Sequence, residues 1–221
     1  MSKTDDSLRD KWASLGIAFN APDEANANPE QTIIDTIKSG EFPSDRKMFE
    51  LMLLWMSEYL QLIHVERLKY LLPSLTPFEL ALMGGIATKC VKNGDFRWRA
   101  IIREVQKKLG KNPPRFDAGD DELYLKLKGT DQDFLAFGIK VAPVKPDDHK
   151  KLMKRDHTIK KNAWLTNRLF LGPNLRADFI TVFTLGIAKN AYQAAKILNC
   201  SPNASYRNWH DLEEAKGLGI F

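Results

Sequence analysis

The chain has 221 residues, 43% of them hydrophobic and 28% charged, with a formal net charge of +5. That is the size of one ordinary domain or two small ones, with enough apolar material for a sizeable core. No apolar run approaches the roughly 18 residues of a membrane-spanning helix, and the start, MSKTDDSLRDKW, has no apolar stretch behind a basic flank, so no secretory signal is expected. Two cysteines, Cys90 and Cys200, make neither a disulfide framework nor a zinc pattern, and both are expected as reduced thiols of a cytoplasmic protein. Charge is segregated: residues 1–75 carry 8 Lys/Arg against 12 Asp/Glu, residues 76–145 carry 13 against 9, and residues 146–221 carry 12 against 7. The last two thirds therefore present a positive field that an anionic polymer would feel, although a solvated, mildly basic surface has the same composition.

Residues 1–29 are polar and carry NAPDEANANPE, which reads as a loop or flexible arm. Residues 30–38 suit a short helix ended by Ser39-Gly40. The strongest helical signal runs over 44–72, with Ser44 as N-cap and Phe49, Met52, Leu53, Met56, Leu60, Ile63 and Leu68 at steps of three and four. It predicts one long central helix that buries Leu53, Met56 and Leu60 and ends at Pro73. Thr76-Pro77 opens a helix that Asn93-Gly94 closes, and Asp95 caps another that stops at Gly110. The alternation over 123–127 suits a short strand. Residues 134–141 fit strand or helix, and Thr130 with Asp133 resembles a capping box that favours helix. Residues 146–161 are polar and basic, a helix follows over 162–170, and Leu171-Gly172-Pro173 is a break. The expected units are an arm (1–29), a helical domain (30–141), a basic linker with a helix (142–174) and a helical C-terminal domain (175–221).

The C-terminal stretch is the most informative. Residues 175–185 and 191–198 read as helices. Asn199-Cys200 makes a tight turn that the left-handed tolerance of Asn permits, and Ser201-Pro202 caps and starts a further helix to about residue 215. Trp209, Leu212 and Ala215 form its apolar face. Ala195, Leu198 and Ser201 spell A-x-x-L-x-x-S, with Asn199 in place of the usual glycine, and Arg207, Leu212 and Gly217-Leu218 continue as R-x-x-x-x-L…G-L. On these residues the segment resembles the helix-turn-helix family, specifically the three-helix core of bacterial winged-helix regulators. The stretch from Leu171 to Asp178 is similar to the lead-in of some bacterial regulator and antitoxin winged helices. The likeness covers about 50 of the 221 residues. Two features depart from the pattern: Ser205 takes a slot that is usually aliphatic, and the spacing from Leu212 to Gly217 is one residue longer than the pattern has it. A wing would begin near Gly219-Ile220-Phe221, so the expected fold is mainly α, winged-helix-like, with the wing absent or truncated.

The resemblance implies binding of double-stranded DNA by the last helix in the major groove, in a transcriptional regulator or autoregulatory antitoxin. With Trp209 and Leu212 inward, the candidate contacts are Lys196, Ser201, Asn203, Ala204, Ser205, Arg207 and Asn208, since Arg suits guanine edges, Asn adenine edges, and Ser and Lys phosphates. No carboxylate interrupts residues 179–210, in a chain that holds 28. Arg99, Arg103 and Lys107, four residues apart, form either a secondary strip of phosphate contacts or a solvated helix face. Lys150, Lys151, Lys154, Arg155, Lys160 and Lys161 fit a soluble linker helix. The alternative function is a helical adaptor that keeps the shape without DNA, and a homodimer contact or protein partner is expected on the N-terminal helical domain.

Enzymatic readings fare badly. Gly84-Gly85 after Leu82-Met83 resembles the opening of nucleotidyltransferase folds, but 89–99 offers only Asp95 where a paired Asp is needed. Gly110-Lys111 lacks the lead of a P-loop. His64, His149, His157 and His210 show no metal-ligand spacing, and Asp117, Asp120, Asp121 and Glu122 lack the glycine and terminal glutamate of a calcium loop. The expectation is no catalysis, no metal and no cofactor.

Overall fold

The computed structural model describes residues 3–19, 26–40, 42, 46–110, 112–144 and 149–220. The fold is mainly α. Its first helix, α1 (Lys3–Ser14), corrects the expected arm. Leu8, Trp12 and Leu15 lie at steps of four and three and bury one face, and the Trp12 indole donates to Thr36 Oγ1 at 2.9 Å. A polar composition hides this stripe because Arg9, Asp10 and Lys11 stand between its first two members. Next come α2 (Pro29–Lys38), capped by Asn28, and α3 (Arg46–Tyr59). Ser44, the expected N-cap of the central helix, lies outside the described residues.

The single long helix expected over 44–72 is two helices. After α3 the chain passes through one 3-10 turn (Leu60–Leu62), extends at Ile63 and His64, and restarts as α4 (Val65–Leu71). The apolar period continues across the break because both halves face one core, and Leu53, Met56 and Leu60 are buried as expected. The break itself rests on distant groups. The His64 amide donates to Glu30 Oε1 at 2.8 Å, and Arg97 and Arg168 donate to the carbonyls of Leu60 and Leu62.

Thr76 and Glu79 form a full capping box at the start of α5 (Pro77–Lys92), and Asp95 caps a 3-10 turn that leads into α6 (Arg99–Leu109). The expected strand at 123–127 is instead α7 (Glu122–Lys128). The Asp121 carboxylate accepts from the amides of Leu123 and Tyr124, and of the alternating leucines only Leu125 is buried. Asp131, not Thr130, caps the short α8 (Gln132–Leu135); a parallel pair, β1 (Phe116–Asp117) with β2 (Ile139–Lys140), closes this region.

Gly84 and Gly85 have a packing role. A Cβ on Gly85 would sit 2.2 Å from Phe134 Cδ1, and one on Gly84 would sit 2.5 Å from Phe137 Cδ1. Phe134 is held in turn by Phe42 and Phe49, with ring centroids 6.3 and 5.9 Å away, so its ring has nowhere to go. Gly85→Ala is therefore expected to destabilise by about 1–3 kcal/mol in urea unfolding, despite the better helix propensity of alanine. Gly217→Ala, with nothing within 4 Å, is the matched control and is expected to be neutral or slightly stabilising.

The rest of the chain forms α9 (Arg155–Lys161), α10 (Ala163–Leu171), α11 (Leu175–Thr184), α12 (Ala191–Leu198) and α13 (Pro202–Gly217). Two apolar cores result. The larger takes residues from α1 to Val144 together with Ile159 and Leu165, and the smaller gathers Trp164, Phe179, Val182, Ala194, Leu198, Trp209 and Leu212. Helix α10 is built into both.

Candidate nucleic-acid interface

Helices α11 to α13 start and stop on local signals. Asn174 and Asn190 accept from the amides of Ala177 and Gln193 at 3.0 and 2.9 Å, which caps α11 and α12. Asn199 ends α12 in the left-handed region, with φ 50° and ψ 53°, and Ser201 accepts from the Ala204 amide to begin α13 with Pro202 in its first turn. Phe183 meets Trp209 edge-on at 5.0 Å. The turn at Asn199-Cys200 thus lies where the sequence places it, and α13 runs two residues past the expected end, to Gly217.

Helical phase then decides what α13 exposes. Ser205, Trp209 and Leu212 turn inward, while Asn203, Tyr206, Arg207 and His210 share the outward strip and are exposed. Ser201 is exposed at the cap. Ala204 and Asn208 sit half-buried on the flank, with the Asn208 amide donating to the Ala204 carbonyl at 2.8 Å. Ser205 must be removed from the candidate contacts. It is fully buried, and its hydroxyl donates to the Ala191 carbonyl at 2.5 Å, tying α13 to α12. Its place in an aliphatic slot is the mark of an inward position. Lys196 is exposed on α12 with its ammonium 4.4 Å from the centre of the Tyr192 ring. Tyr192 and Tyr206, exposed at 61% and 64%, add aromatic faces beside the cations; the phase set by Trp209 and Leu212 already points Tyr206 outward in the sequence. Asp211, Glu213 and Glu214 lie toward the far end of α13, and Glu213 accepts from the Trp209 indole at 2.9 Å.

Behind this surface lies a buried ionic clamp that no spacing rule announces. Arg168 on α10 is fully buried. It donates to both oxygens of Glu30 on α2, at 2.7 and 2.8 Å, and its Nε reaches Asp178 Oδ1 on α11 at 2.9 Å. Asp178 Oδ2 lies 2.7 Å from His64 Nδ1 and 3.6 Å from Arg67 Nη1. Arg67 also donates to the Ile197 carbonyl at 3.0 Å, and Asn199 Nδ2 reaches the Tyr70 carbonyl, so α4 holds the C-terminal end of α12. Two carboxylates face two guanidiniums, which balances the charge without His64. Burial acts against the charge of Arg168, but Glu30 and Asp178 outweigh it and raise its pKa above the ordinary value. For Arg67 burial wins and its pKa is lowered. Burial likewise pushes Asp178 up, yet Arg168, His64 and Arg67 together hold it below the ordinary aspartate value of 3.8. A group depressed in this way contributes stability above its unfolded pKa and loses it as the pH falls through the folded one. A carbon-detected NMR titration is expected to place the Asp178 midpoint below that of an exposed aspartate, and a midpoint at or above it contradicts the clamp.

The second basic feature also takes shape. Arg99, Arg103 and Lys107 are exposed along one face of α6, whose other face buries Ile101 and Val105. Arg99 lies 4.6 Å over the Phe96 ring, while Arg103 and Lys107 line an open cleft of about 550 Å³ with Gln106, Pro113 and Phe137. Three of the acidic set are engaged within the protein: Asp117 accepts from the Gly119 amide, Asp120 pairs with the distant Arg46, and Asp121 caps α7. Burial pushes the Cys90 thiol pKa well up. Among the described residues no group of three or more His, Cys, Asp or Glu is placed to hold a metal ion, and no helix is long and apolar enough to cross a membrane. Comparisons with protein-family models, curated proteins and solved structures give no match for this chain.

Proposed function

We propose that the chain binds double-stranded DNA through α12 and α13 in the manner of a helix-turn-helix, as a transcriptional regulator or autoregulatory antitoxin. The observation that carries this reading is the outward strip of α13. Asn203 and Arg207 stand exposed one turn apart in the N-terminal half of a helix entered through a tight turn, with no carboxylate from 179 to 210. Arg207 is placed for a guanine edge and Asn203 for an adenine edge. Lys196 and Ser201 supply phosphate contacts, Ala204 and Asn208 flank the strip, and Tyr206 lies beside it. The Arg99, Arg103 and Lys107 strip is a secondary phosphate-tracking surface in this reading. The clamp serves it indirectly, because it fixes α11 and the end of α12 from behind while α13 keeps its outer face free.

Selection from a pool of random duplexes with the full chain tests the proposal. Enrichment of a short motif that Arg207→Ala blurs at one base position supports it. A pool that stays random, with protein partners bound through the same helices, makes the chain an adaptor that uses this shape without DNA.

A further inference from the structure

Helices α9 and α10 meet at Asn162, which caps α10 by accepting from the Leu165 amide at 3.2 Å. The Thr166 hydroxyl donates back to the Ile159 carbonyl at 2.5 Å, which ties α10 to α9. Between them runs an open groove of about 910 Å³. Its apolar lining is Ile159, Leu169 and Phe170. Phe170 is 79% exposed and Leu169 51%, high values for side chains of this size, while Trp164, Leu165 and Arg168 hold the opposite face of α10 inside the molecule. The rim is cationic: Lys154, Arg155 and Lys160 line it against one carboxylate, Asp156. Arg155 is partly engaged, donating to the Glu58 carbonyl and lying over the Tyr59 ring, and this fixes its position at the edge.

We infer that this groove is a docking site for an acidic amphipathic helix of a partner protein. The apolar floor takes the large side chains of a helix at steps of three and four, and the rim pairs with carboxylates on its flanks. Charge selects this occupant over a second copy of the chain. A two-fold contact through the same patch brings together two rims that each carry Lys154, Arg155 and Lys160 against one carboxylate, a net repulsion. The groove between α9 and α10 gives a helix two walls to seat between, and binding to an anionic bilayer is an outcome of the test. Phosphate tracking along DNA has no use for an exposed phenylalanine and leucine. The inference does not depend on the DNA reading, since the groove shares no residue with α12 or α13.

The test uses the full chain and a fluorescein-labelled helical peptide of about four turns, with leucine at i, i+3, i+4 and i+7 and glutamate on its flanks. Fluorescence anisotropy is expected to show binding that weakens with salt, at least about tenfold weaker for the same peptide with lysine in place of glutamate. Phe170→Ser and Lys160→Glu, both at exposed positions, are each expected to weaken it about tenfold with an unchanged circular dichroism spectrum. Failure of the acidic peptide to bind, equal binding of the two peptides, or binding indifferent to both substitutions overturns the inference. So does a dimer in sedimentation that Phe170→Ser dissolves, which makes a second copy the occupant. Phe170-dependent binding to phosphatidylglycerol vesicles in place of the peptide makes the groove a membrane site and overturns it equally.

Discussion

Replacing Arg168 with methionine is expected to lower the unfolding free energy by about 3–5 kcal/mol. The side chain and both of its carboxylate partners are buried, with no solvent to take over when the guanidinium goes. Glu30 loses two charge-assisted bonds and keeps the His64 amide. Asp178 keeps His64 and the more distant Arg67. The cost is therefore dominated by the one buried carboxylate charge left in excess over Arg67, rather than by the intrinsic worth of the pair. Arg168→Met combined with Glu30→Gln removes the stranded charge and is expected to recover part of the loss. Urea unfolding of the three chains checks both. A single-variant loss under about 1 kcal/mol, the ordinary value of a surface ion pair, contradicts the clamp as described.

Arg207→Ala is expected to cost about 1–3 kcal/mol on a selected duplex and to relax one base position, while leaving the fold unchanged. Arg207 and Asn203 are exposed on the same strip, and the substitution removes no buried contact. Lys196→Ala is expected to act differently, weakening all duplexes alike and lowering the salt slope by about one. The contrast separates a base-reading residue from a phosphate-contacting one. If Arg207 is only a solvated side chain, its truncation changes helix stability by a few tenths of a kcal/mol through Asp211 and leaves DNA binding intact.

The parts of this fold that the sequence made legible are those decided within a few residues. Thr76-Pro77, Asn199 and Ser201-Pro202 set their helix ends by caps and fixed dihedrals, and the structure places the breaks there. Where the deciding partner lies far along the chain, the local reading fails. The break at Ile63-His64 depends on Glu30, Arg97 and Arg168, so the periodicity of 44–72 gives no warning of it. The clamp itself draws on α2, α4, α10 and α11, and none of its members stands out by spacing. Helix α7 shows a different failure: a leucine alternation suggests a strand, but Asp121 at the cap and Gly129 at the stop, with φ 81°, outweigh it. In the candidate site the phase of α13 was readable from Trp209 and Leu212. Ser205 was the exception, since its polar side chain suggests an outer face while the helix turns it onto the Ala191 carbonyl.

The proposal that α13 reads DNA is tested most directly by fluorescence anisotropy of the full chain on a random-sequence duplex across a salt series. Binding at low salt is expected, weakening linearly on a logarithmic scale as salt rises, with a slope reduced by about one in Lys196→Ala. Absence of binding at low salt, or an affinity indifferent to salt, contradicts it.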